Sequence, residues 1–322
     1  KNRAPFIDAQ LLDKLNMLRN GVFACKREMH WHFFQRVIMP SAMKTLPEQN
    51  LTSRECKVAV VIVAAGRGER AGSPVDGPKQ YRLIGGKPVI RRTLEAFCVH
   101  PRVDAIAVAI HPDDDDLFAK SCAGFDRPII AVPGGASRQE STLRALKALD
   151  ELNPEIVLIH DGVRPFLDSA LIDRVIETVS AEQGALPTVP VSDTLKRAGK
   201  DMQVEATVPR TGLFAAQTPQ GFPFHPILAA HENAARAGRH DFTDDAAIAE
   251  WAGMPVRLVQ GSPENIKLTW ARDIALADHR LGGNMRTDFP DVRTGNGYDV
   301  HAFGAGDHVA LCGIEIPHAK GL

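Results

Sequence analysis

From residue 57 onward the chain alternates short apolar runs with amphipathic segments, and that rhythm predicts most of its elements. Val58 to Val63, within "KVAVVIVAA", is an unbroken apolar run rich in β-branched residues, and "VDAIAVAIHP", "RPIIAVPGG" and "EIVLIHDGVRPF" repeat the pattern. Short apolar runs without polar alternation mark strands buried on both faces. Between them, "KPVIRRTLEAFCVH", "SRQESTLRALKALDEL" and "DSALIDRVIETVSAEQ" space their apolar residues as helices do. Ser137 with Glu140 three residues on predicts a capping box, and Asp168 predicts the cap of the next helix. Strands alternating with helices imply βαβ units, so the expected fold is α/β, a mainly parallel sheet with helices on both faces. Such a sheet binds ligands outside the carboxyl ends of its strands. Loops rich in charge and glycine follow Ala64, Val132 and His160, all at those ends.

The stretch "VPVSDTLKRAGKDMQVEATVPRTGLFAAQTPQGF" breaks the alternation and predicts a β-hairpin arm around the turn "AGKD". Helices are expected again at "HPILAAHENAARAG", "TDDAAIAEWAG" and "WARDIALADHRLG". Residues 282–292 read as a linker, and residues 293–322 begin a new strand pattern, expected as the start of a small α+β domain. The main domain is then 56–281. Residues 1–55, with the cluster "MHWHFFQRVIM", show no such rhythm and read as an extension, the part before Met39 or Met43 lying upstream of a natural start at one of them; a targeting peptide is the alternative. His30 and His32 have no partners at metal-ligand spacing.

The length of 322 residues and a hydrophobic content of 44% suit two folded units. A formal net charge of -1 gives no global field toward nucleic acid or an anionic membrane, so neither is an expected partner and phosphate binding must be local. The longest apolar run, Val58 to Ala65, is far below the roughly 20 residues that span a bilayer. Five cysteines without a C-x-x-C pair read as free thiols of a reducing compartment, and a cytoplasmic location is expected.

The most informative loop is "AAGRGERAGSPVDGPKQY", Ala64 to Tyr81. It lacks the lysine and hydroxyl of a Walker loop, and Ala71 sits among turn residues where the third small residue of a dinucleotide fingerprint should open a helix. What remains is a loop whose glycines let backbone N–H groups approach a triphosphate, with Arg67, Arg70 and Lys79 to neutralise it. That composition suits phosphoryl chemistry on a nucleotide.

The ordered pieces "AAGRGERAG…GPKQY", "GGASRQEST", "HDGVRP", "PVSDTLKR", "VPRTGLFAAQTPQGF" and "ENIKLT" resemble the 2-C-methyl-D-erythritol 4-phosphate cytidylyltransferases, over about Lys57 to Arg280. The tail "GNGYDVHAF" resembles the start of 2-C-methyl-D-erythritol 2,4-cyclodiphosphate synthases, and the order of the two resembles their bifunctional fusion. The resemblance implies cytidylyl transfer from CTP to methylerythritol phosphate with Mg²⁺, within non-mevalonate isoprenoid biosynthesis. It implies that Arg70 and Lys79 stabilise the transition state, and that Ala64, Ala65, Gly66 and Gly68 lie against the nucleotide. Gly135 and Ser141 would read the base, although Ala136 stands where some members carry an acid. Asp161 would contact magnesium or substrate; by itself, with Arg164, it also reads as a cap with a surface ion pair. Arg164, Thr194, Arg210, Thr218 and Lys267 would hold the methylerythritol phosphate, the hairpin arm reaching across a homo-oligomer. Asp299 and His301 would be two of three ligands of the synthase metal, zinc by the resemblance, with the third beyond Leu322; on that ground cyclisation and tight zinc are not expected of these 322 residues. Two alternatives stay open: a sugar-phosphate nucleotidyltransferase and a non-catalytic nucleotide-binding module.

Overall fold

A computed structural model describes residues 56–67, 77–282, 302–311 and 314–321, together with the backbone of 36–38. The sheet is built on four parallel strands, β2 (Val58–Ala64), β5 (Ala105–Ile110), β6 (Ile129–Pro133) and β7 (Ile156–Asp161), in the order β6-β5-β2-β7. A short edge strand, β1 (Arg36–Ile38), pairs antiparallel with β6, so three residues of the extension join the sheet. A small hairpin, β3 (Leu83–Ile84) with β4 (Lys87–Pro88), leads into the first helix.

Alternation along the strands divides the core into two layers. Val58, Val60, Ile62 and Ala64 face α1 (Val89–Cys98), α2 (Asp115–Cys122) and α4 (Ser169–Thr178), through Ile90, Leu94, Phe97, Phe118, Leu171 and Val175. Ala59 and Val61 face the other way, toward α3 (Arg138–Leu149) and α5 (Phe224–Arg236). Neighbouring side chains on a strand point to opposite faces, so a β-branched run with helices on both sides has no solvent-facing position. Burying each large apolar side chain contributes about 1.5–3 kcal/mol, which makes this sheet the rigid part of the molecule.

The predicted helix caps form, with one change. Ser137 accepts the Glu140 N–H at 3.1 Å and Asp168 accepts the Leu171 N–H at 2.7 Å. Glu140 does not close the capping box on Ser137; its carboxylate accepts the Ala136 N–H at 2.8 Å and pairs with Arg144 at 2.5 Å. The expected helix through Gln183 stops at Thr178, because Val179 is already extended.

Beyond β7 the sheet turns antiparallel through β8 (Gly184–Pro190), β11 (Phe214–Ala216) and β12 (Gln220–Pro223), with β13 (Val256–Gln260) parallel to β8. The arm is the pair β9 (Leu195–Ala198) and β10 (Val204–Val208), rising between β8 and β11. Two further helices complete the unit, α6 (Asp245–Trp251) and α7 (Ala271–Arg280). Past it, β14 (His308–Leu311) and β15 (Ile314–Pro317) form a separate antiparallel pair. Among the described residues no helix is long and apolar enough to cross a membrane.

Candidate active site

Three strand ends meet at positions without side chains. The backbone N–H of Gly134 donates to Ile110 at 2.7 Å, and a Cβ there would lie 2.2 Å from that of Ala65. Gly162 donates to Val63 at 2.9 Å, and its added Cβ would lie 2.9 Å from that of Ala64. The loops after β2, β6 and β7 therefore pack backbone against backbone, with Ala64 and Ala65 between two glycines. At Gly66 an added Cβ would meet nothing within 4 Å among the described residues. Gly68 and Arg70 lie outside the described residues.

Lys79 is half-buried on a one-turn 3-10 helix, Lys79–Tyr81. The turn is pinned by its neighbour: Gln80 is buried and donates to the Ala64 carbonyl at 2.9 Å. Arg67, expected to neutralise phosphate, is committed elsewhere. Its guanidinium holds Asp113 at 2.6 Å and Asp114 at 3.2 Å, and lies 2.7 Å from His111 Nδ1. The acidic run after β5 supplies these partners, and two carboxylates on one guanidinium fix the near end of the glycine loop.

The loop after β6 is organised by Ser141, which is buried. Its Oγ accepts the Gly135 N–H at 3.0 Å and donates to the Ser137 carbonyl at 2.8 Å. Both functions of the hydroxyl are used within the loop, so Ser141 shapes the segment around Gly135. The Ala136 N–H is taken by Glu140, whose pKa is lowered first by that bond and then by Arg144.

The centre of the site is Asp161, at the carboxyl end of β7. Its Oδ2 lies 2.9 Å from Lys267 Nζ and 3.4 Å from Arg164 Nε, and its Oδ1 lies 3.2 Å from Arg138 Nε. Burial pushes the carboxyl pKa up, but Arg138, Lys267 and Arg164 outweigh it and hold the group far below the usual carboxylate range. Asp161 is thus a fixed anion that gathers cations. Arg164 is buried rather than on the surface, and its Nη1 also donates to the Asn265 carbonyl at 2.7 Å. Lys267 keeps 40% of its side chain exposed, leaving the ammonium at the mouth of the cluster.

Thr218 sits beneath this carboxylate. Its Oγ1 accepts the Asp161 N–H at 3.1 Å and lies 3.0 Å from His160 Nδ1. His160 Nε2 is 3.2 Å from the Arg164 carbonyl, so that nitrogen carries the proton and Nδ1 accepts from Thr218. Burial lowers the His160 pKa to about 4, which matches a neutral ring. Thr218, 4% exposed, is therefore occupied with holding the end of β7.

The expected members of the arm stand apart. Thr194 and Arg210 are exposed at its base, where Arg210 donates to the Ser192 carbonyl. Among the described residues no hydrogen bond or ion pair ties either to Asp161. Asp299 and His301 lie outside the described residues. Elsewhere among the described residues no three His, Cys, Asp or Glu side chains converge as a metal site.

Two residues of the cluster were not singled out by the sequence reading. Arg138 opens α3, and its Nη1 lies 2.7 Å from the buried Asp245 on α6. Both lie within segments read as helices, yet 107 residues separate them and no local spacing pairs them.

A glycine loop, a second loop packed on it and a cation cluster meet at the carboxyl edge of the parallel strands, an arrangement suited to phosphorylated ligands. Comparison gives the family. Residues 58–282 match the description of 2-C-methyl-D-erythritol 4-phosphate cytidylyltransferase, and the chain belongs to that family. A protein of Chelativorans sp. (strain BNC1) named bifunctional enzyme IspD/IspF is 67% identical over 84% of this chain and 66% of its own length. One of that name from Mesorhizobium japonicum is 62% identical over 82% of this chain and 65% of its own. The chain spans about two thirds of the length of these relatives. The solved 4-diphosphocytidyl-2C-methyl-D-erythritol synthase of Anaerococcus prevotii superposes with a TM-score of 0.61 at 31% identity, covering 70% of this chain and 96% of that one. The bifunctional IspDF of Campylobacter jejuni superposes with a TM-score of 0.55 at 25% identity, covering 82% of this chain and 64% of that one.

Proposed function

We propose that this chain transfers a cytidylyl group from CTP to 2-C-methyl-D-erythritol 4-phosphate. The observation that carries the reading is the ring of Arg138, Arg164 and Lys267 around Asp161, beside the Ala64–Ala65 and Gly134–Gly135 loops. A phosphate oxygen of the sugar attacks the α-phosphorus of CTP. The new P–O bond forms as the bond to the β-phosphate breaks, and pyrophosphate carries away the electron pair. The nucleophile is already an anion, so no general base is needed. The barrier is charge repulsion and positioning, which cations and backbone donors lower.

Lys79 and Arg70 take the role of cations on the reacting phosphates. Ala64, Ala65, Gly66 and Gly68 present backbone to the triphosphate. Gly135 faces the base, with Ser141 holding its loop. Lys267 and Arg164 meet the sugar phosphate, and Thr218 supports them through Asp161. The arm buries little within its own chain, and an isolated two-stranded hairpin is marginal by itself. That supports a homodimer in which Thr194 and Arg210 complete the sugar-phosphate pocket of the other copy.

The site suits Mg²⁺: the ion needs one carboxylate besides substrate phosphates, and Asp161 is a permanently ionised one at the strand end. When bound, the metal neutralises triphosphate charge. A fused cyclodiphosphate synthase, holding zinc through Asp299 and His301, is proposed for the longer protein from the names of the relatives and the tail resemblance. We assign the cytidylyltransferase to 56–281, the linker to 282–292 and the start of the synthase to 293–322, with 1–55 as an extension. The test is pyrophosphate release from CTP plus methylerythritol phosphate, lost with EDTA and restored by Mg²⁺. Equal release from another nucleoside triphosphate with a hexose phosphate would overturn the substrate assignment.

A further inference from the structure

We infer that Arg138 is a positioning residue for the transfer: it bridges Asp245 and Asp161, and so sets where Lys267 presents its ammonium to the sugar phosphate. The inference rests on the proposed function and names a part of the site that the family resemblance did not supply.

The argument begins with the donors of one guanidinium. Nη1 lies 2.7 Å from Asp245 Oδ2 and Nε 3.2 Å from Asp161 Oδ1. Its planar fork makes these directions rigid, so two carboxylates on separate elements are held at one separation. Asp245 is 0% exposed and cannot move to follow a displaced partner. Its second oxygen faces His231, also 0% exposed, at 3.3 Å. Asp245 is thus the fixed end of the bridge and Asp161 the end that touches the site.

Asp161 divides its oxygens. Arg138 occupies Oδ1, which leaves Oδ2 for Arg164 and Lys267. Arg164 is further tied to the Asn265 carbonyl, whereas Lys267 is exposed and ion-pairs with Asp161. Turning the carboxylate about its bond would therefore move Lys267 most. Arg138 is also the first residue of α3, directly after the Ser137 cap and the Gly135 loop. One side chain thereby ties the base-side loop, the end of β7 and the start of α6 into one body. An ordinary buried ion pair would hold two elements together, but it would have no reason to set a third cation that faces substrate.

Arg138→Lys keeps a charge and loses the fork, so it separates positioning from charge balance. Steady-state kinetics of the full chain would compare it with Lys267→Ala, with the double variant and with Asp245→Asn. The expected result is a loss in kcat/KM for methylerythritol phosphate of about 10- to 100-fold in Arg138→Lys, the scale of a misplaced reacting group. KM for CTP should stay nearly unchanged. The double variant should be no worse than Lys267→Ala alone, because Arg138 acts through Lys267. Asp245→Asn should show a smaller loss in the same parameter. Additive losses, or full kcat/KM in Arg138→Lys with only a lower Tm, would reduce Arg138 to a strut and overturn the inference. If Arg138→Lys does not fold, Asp245→Asn takes its place in the cycle under the same criterion. A wild-type chain releasing no pyrophosphate would instead sink the functional reading, an outcome distinct from additivity in an active enzyme.

Discussion

The end of β7 and the hairpin arm both carry residues assigned to the sugar phosphate, yet they are built in opposite ways. Around Asp161 nearly every polar atom has a partner: three cations, the Thr218 hydroxyl under the backbone and a neutral His160 beneath that. The arm has Thr194 and Arg210 exposed, along with Val204 at 65% and Met202 at 84%. One region is preorganised by its own chain; the other is left largely uncovered by the described residues. Preorganisation lets cations act on charge that develops in the transition state, while an exposed arm adds binding once something covers it.

The sharpest way to break this contrast is to remove the central anion. Asp161→Ala leaves Arg138, Arg164 and Lys267 without their shared partner, and loss of one member of a buried ion pair costs about 3–5 kcal/mol. Lys196→Ala on the arm, where Nζ bonds exposed Thr207, should stay within about 0.5 kcal/mol. Denaturant melts of both variants decide it, and equal losses would erase the distinction.

Acid should act on the same region. His160 titrates near 4 in the folded chain, against about 6.5 unfolded. Between those values the unfolded state binds the extra proton, so this contribution is complete above pH 6.5 and is lost as pH falls toward 4. The span is worth roughly 3 kcal/mol. His160→Gln should flatten the fall of Tm between pH 7 and 4, and an unchanged slope would contradict the assignment.

Lys79→Ala and Arg70→Ala should lower kcat by on the order of 10²-fold or more with little change in CTP binding, as for loss of a transition-state donor. A change confined to the CTP KM would place them in ground-state binding. Arg210→Ala should raise KM for the sugar phosphate by about 10-fold, the scale of one charge-assisted contact, at unchanged Tm. The smallest effect is expected from deleting residues 1–50. That removes β1, a three-residue edge strand, and should leave kcat unaltered with a Tm shift of about 2–4 °C. Insolubility would show that the extension belongs to the core.

Much of this was legible because the four parallel strands are short, largely apolar runs rich in Val and Ile, which leave little choice of element or of covered faces. The later strands were not: β8 and β12, "GALPTVP" and "QGFP", carry glycine and proline, and β13 exposes Leu258 at 48%. α2 was masked by its run of aspartates, two of which serve Arg67 at its entrance. In the site, the sequence pointed to Asp161, Arg164 and Lys267 by resemblance. The pairing of Arg138 with Asp245, and the use of Thr218 and Ser141 within the fold, arise from tertiary contacts that no local pattern encodes.

The central claim is the exchange of bonds at the cytidylyl phosphorus, and ³¹P NMR of CTP with methylerythritol phosphate reads it directly. With catalytic amounts of this chain and Mg²⁺, the α-phosphate signal of CTP and the monoester signal of the sugar should decline one for one. A coupled diphosphate pair and pyrophosphate should grow at the same rate. A monoester signal that persists while CTP is hydrolysed to CMP, or no change in either reactant, would contradict the account.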